Sequence, residues 1–582
     1  MSQTAIAIIG CGIVSAIGND YNSVLQSLRE KRSGIEPMRF LKSIHNELPV
    51  GEVKLTNEQM KRMLNIDEDT IVSRTTLMGA IAVKEALSNA NISDLEHKRV
   101  SFMSGTTVAG MDITESLFEQ FKNDDTILQY IDKHDCGNCS NEIVKICGIH
   151  ADVCTISTAC SSALNSIIIG TEMLLNDETD VVIAGGCEAL SLFHLNGFNS
   201  LMILDKERCR PFDATRAGLN LGEGAAFLVL QRAADAATKP KAYICGYGNR
   251  CDAHHQTAMS DNGEGPFLAM KEALQRAEIT SAEIDYINAH GTGTLNNDMT
   301  ESAALKRVFG DNLPLISSTK AFTGHTTSAA GAIEAVISLM ALNEKFVPAN
   351  LGWKKQMTDG IMPSSGQLNK ELHTVMCNSF GFGGNCSSII ISDSVHCLPD
   401  CNAFDYEIVS EDEITDIEEL KGIREYVPPM ESRRMSKIIK AATLTSLRAL
   451  QKAGVDCPDA IIASTAMGLL ETSEKFLESM IANGETSVSP TQFMQSTHNT
   501  IASAIAIRTQ CHGYNITYSQ GDQSLNRAMQ DAIHLIKSGK AKTVLVGYHD
   551  ESTELYNTFM QRLGRGAKPA IISKSFVIRA KG

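Results

Sequence analysis

The chain is predicted to be an α/β protein layered on a buried sheet, and three observations predict it. Continuous apolar runs alternate with amphipathic stretches through the first half of the sequence. The same alternation starts again at Lys241-Ala242-Tyr243-Ile244-Cys245 and closes at Ser388-Ile389-Ile390-Ile391-Ser392. A third region beyond residue 396 repeats fragments of the first. Strands that are apolar throughout belong to sheets covered on both faces, and 582 residues are enough for more than one domain.

In order along the chain, the first strand is Ala5–Ile9, with Gly10-Cys11-Gly12 after it read as a tight strand-to-loop turn. The run GCGIVSAIG does not have the G-x-G-x-x-G spacing of a dinucleotide site, and no acidic ribose ligand follows at the right distance. Strands are expected at 99–104, 154–157 and 181–186, and helices at 141–147 and 161–175. Past Ser392 the texture changes: Cys397-Leu-Pro-Asp-Cys401 and the acidic run SEDEITDIEE read as a linker leading into a new unit.

That unit carries an internal repeat. Cys154-Thr-Ile-Ser-Thr-Ala-Cys160 is echoed by Tyr514-Asn-Ile-Thr-Tyr-Ser-Gln520, and aligning Ile156 with Ile516 places Gln520 opposite Cys160. VVIAGGCEA is echoed by TVLVGYHDE, with Asp550 opposite Glu188, and SGTTVAG from Ser104 by IASTAMG from Ile462. Three echoes in one order indicate a degenerate copy of the first half of the catalytic module, without its nucleophile.

Composition sets the outer limits. A net charge of −16 argues against nucleic acid or an anionic membrane surface as the main partner. The sixteen cysteines show no framework of paired spacings, the N-terminal run lacks a signal-peptide layout, and no apolar run reaches the length of a membrane span. A reduced, cytoplasmic protein is the expectation.

The chemistry concentrates at three residues. Cys160 stands where a strand ends and a helix begins, among the small residues Ala159, Ser161 and Ser162. Such a turn exposes the sulfur, and the positive end of the helix is expected to lower the thiol pKa. His290 lies in NAHGTGTLNND and His325 in SSTKAFTGH, both in glycine–threonine loops after strands. Thr292 and Thr294 offer hydroxyls, Lys320 a cation, and Glu334 follows His325 by one small-residue helix segment. One thiol with two imidazoles suggests carbon–carbon bond formation on a thioester; a protease would need one histidine as base and a third group to orient it. Two other clusters rank lower. His134, Cys136 and Cys139 have no second well-spaced pair, so no metal is expected. His498-Asn499-Thr500 has no cysteine at its nucleophile position, so its role is expected to be structural.

With these motifs, and with CRPFD from Cys209, LGEG from Leu221, Asp252-Ala-His-His255 and NSFGFGGN from Asn378, residues 1 to about 395 resemble the elongating β-ketoacyl-acyl-carrier-protein synthases, a branch of the thiolase-like condensing enzymes. The resemblance implies a thiolase-like α-β-α-β-α layered fold, with an N-terminal half at 1–245 and a C-terminal half at 246–395. It implies a Cys160–His290–His325 triad with Lys320 and Glu334 in support, and an oxyanion hole from the N–H groups of Cys160 and Phe382. Phe382 would also be the gate between acyl pocket and malonyl site, and Thr292, Thr294 and Phe380 would bind substrate. The implied partners are an acyl carrier protein, malonyl and acyl thioesters, and a second copy in a homodimer. No cofactor of its own is implied, since the phosphopantetheine belongs to the carrier. Leu295 stands where the family often has proline, and Asn385 where threonine is usual.

Residues 403–582, after a linker at 396–402, resemble the half-ketosynthase domain found beside aryl-polyene and flexirubin-type synthases. Chain-length factors, which they also resemble, replace the nucleophile with glutamine. The expected activity is therefore decarboxylative condensation in fatty acid or aryl-polyene/polyketide-like elongation. The rival reading is a non-catalytic chain-length or scaffold subunit, against which the intact Cys160, His290 and His325 weigh.

Overall fold

The computed structural model describes residues 3–92, 95–399 and 404–581. The last residues of the expected linker, 400–402, and residue 403 lie outside the described residues. The described residues form one fifteen-stranded sheet, with two small two-stranded sheets beside it. Its strands are β1 Ile6–Ser15, β2 Val100–Gly105, β3 Asp152–Ile156, β4 Val181–Glu188, β5 Gly224–Arg232, β6 Ala242–Cys251, β7 Tyr286–Asn288 and β8 Leu315–Ser317. They continue as β9 Thr374–Phe380, β10 Asn385–Ser392, β11 Tyr406–Ile414, β12 Ala460–Ser464, β13 Tyr514–Tyr518, β14 Thr543–Glu551 and β15 Ile571–Ala580. Across the sheet the order is β11-β15-β14-β12-β13-β3-β2-β4-β5-β1-β6-β10-β9-β7-β8. Five helices matter for the site: α1 Arg74–Ala90, α2 Ser162–Leu175, α3 Ala330–Asn343, α4 Thr500–Thr509 and α5 Ser524–Lys537.

The first strand is longer than expected. Gly10 and Gly12 are not a turn but lie within β1, which bulges between Ile8 and Gly10 against β5. A Cβ at Gly10 would stand 2.4 Å from the Ala86 carbonyl, and one at Gly12 2.1 Å from that of Ala82. These glycines let α1 press its backbone onto the strand. The boundary expected between residues 245 and 246 falls inside β6, which pairs with β1 on one side and β10 on the other, so the halves share a strand. The acidic run, expected to lead from the linker into the new unit, begins in the edge strand β11, which holds Ser410–Ile414 antiparallel to β15, and ends in the helical turn from Ile417. Charges on an edge strand discourage further strand addition.

Helices α2 and α3 are apolar on nearly every side and buried throughout most of their length. They meet where Gly331 lies against Leu164, with room for no side chain between. Such helices form an inner layer covered on both sides. In the C-terminal unit, α5 occupies the corresponding place but carries a polar face, with Asn526 and Gln530 exposed. One half of the fold is present there, and its sequence is adapted to water where the other half would pack.

The units join edge to edge. β13 lies antiparallel to β3 at Tyr518 and Ile156, with Ser157 N donating to Thr517 O (2.9 Å) and Ser519 N to Thr155 O (3.0 Å). Alongside, Glu172 accepts from Tyr247 Oη at 2.6 Å and pairs with Lys540 and Arg276. Phe493 of the C-terminal unit sits against Gly197, where a Cβ would come within 2.1 Å of its ring.

The seam corrects the register of the repeat. Thr158 has φ −124°, ψ 45°, and Gln520 has φ −125°, ψ 46°. The residues after them, Ala159 and Gly521, are both left-handed, at φ 51° and 52°. Thr158 N donates to Ser162 Oγ (2.8 Å) as Gln520 N does to Ser524 Oγ (2.7 Å). Gln520 is therefore the counterpart of Thr158, and the exposed Asp522 stands opposite Cys160. A two-residue slip in a strand keeps every side chain on its own face, so the alternation alone could not expose the error. Thr465 N meets Tyr518 O as Thr106 N meets Ile156 O, which also shifts the third echo by one residue. Asp550 does match Glu188: each carboxylate accepts from a threonine hydroxyl and a backbone N–H on the neighbouring loop.

The packing at Gly197 predicts that Gly197→Val, by overfilling the site of Phe493, costs about 1–3 kcal/mol. The variant's melting temperature should fall accordingly; melting unchanged from the parent would contradict this placement of the seam.

Candidate active site

Strand β3 delivers the chain into a short 3₁₀ turn, Ala159–Ser161, before α2 begins at Ser162. A positive φ at a residue with a Cβ is uncommon, and at Ala159 it swings Cys160 out of the strand line into a cavity of about 320 Å³. Ser379 Oγ, from β9, donates to Cys160 O at 2.9 Å and fixes the turn from the other half.

The two histidines come from the C-terminal half. His290 follows β7, and its N–H and that of Gly291 donate to Glu301 at 2.8 and 2.7 Å. His325 follows a short helix at Lys320–Thr323 and forms an isolated bridge with Leu221, its N donating to Asn220 O (2.7 Å) and its O accepting from Gly222 N (3.0 Å). Both imidazoles reach the sulfur's cavity: Cys160 Sγ lies 3.1 Å from His325 Nε2, and the rings are 5.4 Å apart at 84°. Ligand atoms of all three residues fall within 4.8 Å of one another. The sequence-predicted triad is thus assembled.

Lys320 and Glu334 are buried together as an ion pair beside it. Lys320 Nζ also lies 3.3 Å from His290 Nδ1. An ammonium has only donors, so His290 Nδ1 accepts and its proton sits on Nε2. Burial, reinforced by the Lys320 charge, holds both His290 and His325 well below the ordinary imidazole value, so they are neutral at pH 7. Burial pushes Glu334 up to about 7 against the opposing pull of Lys320.

The thiol departs from the expectation. Desolvation pushes Cys160 up to about 11, outweighing Lys320 and the backbone N–H groups of Phe382 and Cys160, which act to lower it. The helix end alone does not make a thiolate here, because the sulfur is buried. Both N–H groups thus lie beside the atom to which an acyl carbon would bond, where an oxyanion hole needs its donors near.

Thr292 and Thr294 line the cavity with hydroxyls 2.9 Å apart. The Phe380 ring tilts against His290 at 5.8 Å, and Phe382 stacks on Phe198 at 5.8 Å with 22° between planes. Sequence reasoning missed Glu301 and Asp298, whose carboxylates tie down the HGTGT loop through His290, Gly291 and Gly293. Two acids in the opening turns of the helix after that loop were the available signal. The H-x-C-x-x-C residues face different partners: His134 meets Thr114, Cys139 meets Thr76, and Cys136 lies 4.0 Å from His498. His498 reaches across the seam to Ser157 Oγ at 3.1 Å.

Comparison with known proteins matches this geometry. Residues 3–236 and 241–354 fit the N-terminal and C-terminal domain models of β-ketoacyl synthase, and residues 411–578 fit a second β-ketoacyl synthase N-terminal domain model. The chain is 29% identical over 425 residues to 3-oxoacyl-[acyl-carrier-protein] synthase 2 of Vibrio cholerae serotype O1, covering 67% of this chain and 99% of that one. It is 32% identical to nodulation protein E of Rhizobium meliloti (strain 1021), covering 65% and 96%. Among solved structures, a ketosynthase (ApeO) in complex with its chain length factor (ApeC) from Xenorhabdus doucetiae matches 67% of this chain and 98% of that one at 30% identity, TM-score 0.58. The PfaC keto synthase–chain length factor overlays 99% of this chain and 78% of its own at TM-score 0.79; at 17% identity it speaks for the fold alone. A thiolase-like synthase module with a second, half-sized copy joined to it is what both comparisons and coordinates describe, and the chain belongs to the β-ketoacyl synthase family.

Proposed function

We propose that the chain is a β-ketoacyl-acyl-carrier-protein synthase that condenses a Cys160-bound acyl group with a malonyl thioester. The observation that carries this reading is the convergence of Cys160, His290 and His325 on one cavity, with His290 Nε2–H turned toward it by Lys320.

In the first half-reaction Cys160 sulfur attacks the acyl thioester delivered on a carrier's phosphopantetheine. The thiol proton passes to the leaving pantetheine sulfur, while His325 Nε2, 3.1 Å from Sγ, keeps its own proton and donates to the sulfur. Oxyanion charge is met by the N–H groups of Cys160 and Phe382. In the second, the malonyl thioester sits with its pantetheine against Thr292 and Thr294. Its carboxylate C–C bond breaks, carbon dioxide leaves, and the electron pair moves to the thioester oxygen, where neutral His290 and His325 donate. The resulting enolate carbon attacks the acyl carbonyl and Cys160 sulfur departs. Neutral imidazoles suit this step because they stabilise the oxygen without protonating the carbon. Lys320 and Glu334 are positioning groups for His290. The phosphopantetheine comes with the partner, and the reading invokes no metal.

The C-terminal unit fits a covering role. Phe493 meets Phe198 edge-on at 5.3 Å, and Phe198 also stacks on the gate ring of Phe382. The edge of β3 through which a second module could add is occupied by β13 of the same chain. A homodimer, expected from the resemblance, would therefore use another surface. Among the described residues no helix is long and apolar enough to cross a membrane; a cytoplasmic location is proposed from composition alone. Fatty acid and aryl-polyene/polyketide-like chains are both consistent with the cavity. The rival scaffold reading has no observation in its favour while the triad stands assembled.

The direct test is mass spectrometry of products from malonyl-carrier protein and a panel of acyl starters. A β-ketoacyl product extended by two carbons is expected, and its absence in Cys160→Ala; an undiminished product in that variant would overturn the reading. A second test follows from the raised thiol pKa. Alkylation of Cys160 by iodoacetamide should still climb between pH 7 and pH 10, because the thiolate fraction grows as pH approaches a pKa above that range. Lys320→Met removes a cation that favours thiolate, so alkylation at pH 8 should slow by about tenfold for each unit the pKa rises. A rate flat above pH 7, or faster in Lys320→Met, would contradict this account of the electrostatics.

A further inference from the structure

Asn385, the residue that departs from the usual threonine after GFGG, lies fully buried at the seam. Its amide donates to Asn515 O (2.9 Å) and Asn515 Oδ1 (3.0 Å), both on β13 of the C-terminal unit. Its own Oδ1 accepts from Asn499 Nδ2 at 2.8 Å, and the same Asn499 nitrogen donates to Phe382 O at 2.8 Å. Asn499 opens α4 and is fully buried. Two side chains of the C-terminal unit thus reach into the loop that carries the gate and one of the oxyanion donors. Threonine could not make all three contacts, since its hydroxyl has one donor hydrogen where the amide uses two.

The loop needs such a hold. Gly383 and Gly384 are both left-handed, at φ 82° and 79°, and two consecutive glycines leave the peptide planes free to rotate. Three backbone bonds pin the N–H groups: Gly383 N to Gln256 O (2.7 Å), Gly384 N to Gly381 O (3.1 Å) and Gly381 N to Asn385 O (2.7 Å). The Phe382 carbonyl is held by Asn499. Contact is close, for a Cβ at Gly383 would stand 2.6 Å from Asn499 Nδ2.

We propose that Asn499, supplied by the C-terminal unit, is a positioning residue for acyl transfer: by holding the Phe382 carbonyl it limits rotation at Phe382, whose N–H, in the preceding Gly381–Phe382 peptide, is the second oxyanion donor, and it keeps the gate ring on Phe198. The unit with no nucleophile of its own then completes the site of the unit that has one. This rests on Cys160 being the acyl acceptor, as proposed above. It assigns Asn499 to the first half-reaction, which uses the Phe382 N–H, and not to decarboxylation, which uses His290 and His325.

The test compares two partial reactions in the full chain: acylation of Cys160 by octanoyl-pantetheine, followed as thiol release, and carbon dioxide release from malonyl-pantetheine. In Asn499→Asp, which keeps the shape but cannot donate, and in Asn499→Ala, acylation should slow by roughly tenfold or more, while decarboxylation changes by about twofold or less, as a misplaced oxyanion donor requires. Asn385→Thr, which removes the amide bridging Asn499 to β13, should show the same split more weakly. Melting temperatures identify any variant that fails to fold, and Asn499→Ser replaces Asn499→Ala in that event. Acylation at the parent rate, or both reactions falling in step as a purely structural role dictates, would overturn the assignment. A parent chain that is not acylated at Cys160 would instead overturn the reading on which it rests.

Discussion

A single backbone juncture organises this molecule: β13 running antiparallel to β3 at Tyr518 and Ile156. Each strand passes within three residues into a left-handed residue and a short turn that starts a helix, at Ala159 and at Gly521. Pairing the strands therefore sets the two turns back to back and fixes the direction in which Cys160 leaves the sheet. It also brings α4 and its Asn499 against the Phe382–Asn385 loop, and Phe493 against the helix carrying Phe198. The nucleophile turn, the gate loop and the wall behind the gate are all placed by the same sheet.

Burial then decides the chemistry. A sulfur at the start of a helix would lose its proton readily in water-exposed surroundings, but Cys160 is desolvated and its pKa rises instead. The same desolvation keeps His290 and His325 neutral, the state in which the proposed donation to an enolate oxygen needs them. Lys320 reconciles these demands. It favours thiolate at Cys160 and disfavours imidazolium at both histidines, and Glu334 balances its charge. Removing one member of a buried pair leaves the other uncompensated, at a cost of about 3–5 kcal/mol.

Much of this was legible in the sequence because it is written in local patterns. The apolar strands and all-apolar helices appear as runs, and Cys160, His290 and His325 sit in loops whose glycines and threonines mark them. What was not legible depended on which segments touch. Gly10 and Gly12 read as a turn because the helix backbone pressed onto them comes from residues 82–86. Gln520 looked like the lost nucleophile because a strand slipped by two residues keeps its pattern, and only the backbone angles of the two turns show that Asp522 holds that place. Asn385 read as a small loop variation, yet its reason lies more than a hundred residues away at Asn499 and Asn515. Glu301 and Asp298 were hidden for the converse reason, since acidic residues near the start of a helix are ordinary and only their loop-facing side distinguishes them.

The central claim is that one chain holds two copies of a nucleophile turn and that only the one bearing Cys160 accepts an acyl group. Incubating the full chain with an octanoyl thioester, then measuring its intact mass and mapping the modified peptide, tests this directly. The account predicts one octanoyl group per chain, on the peptide containing Cys160. An acyl group on any other of the sixteen cysteines with Cys160 left free, or two groups per chain, would contradict it.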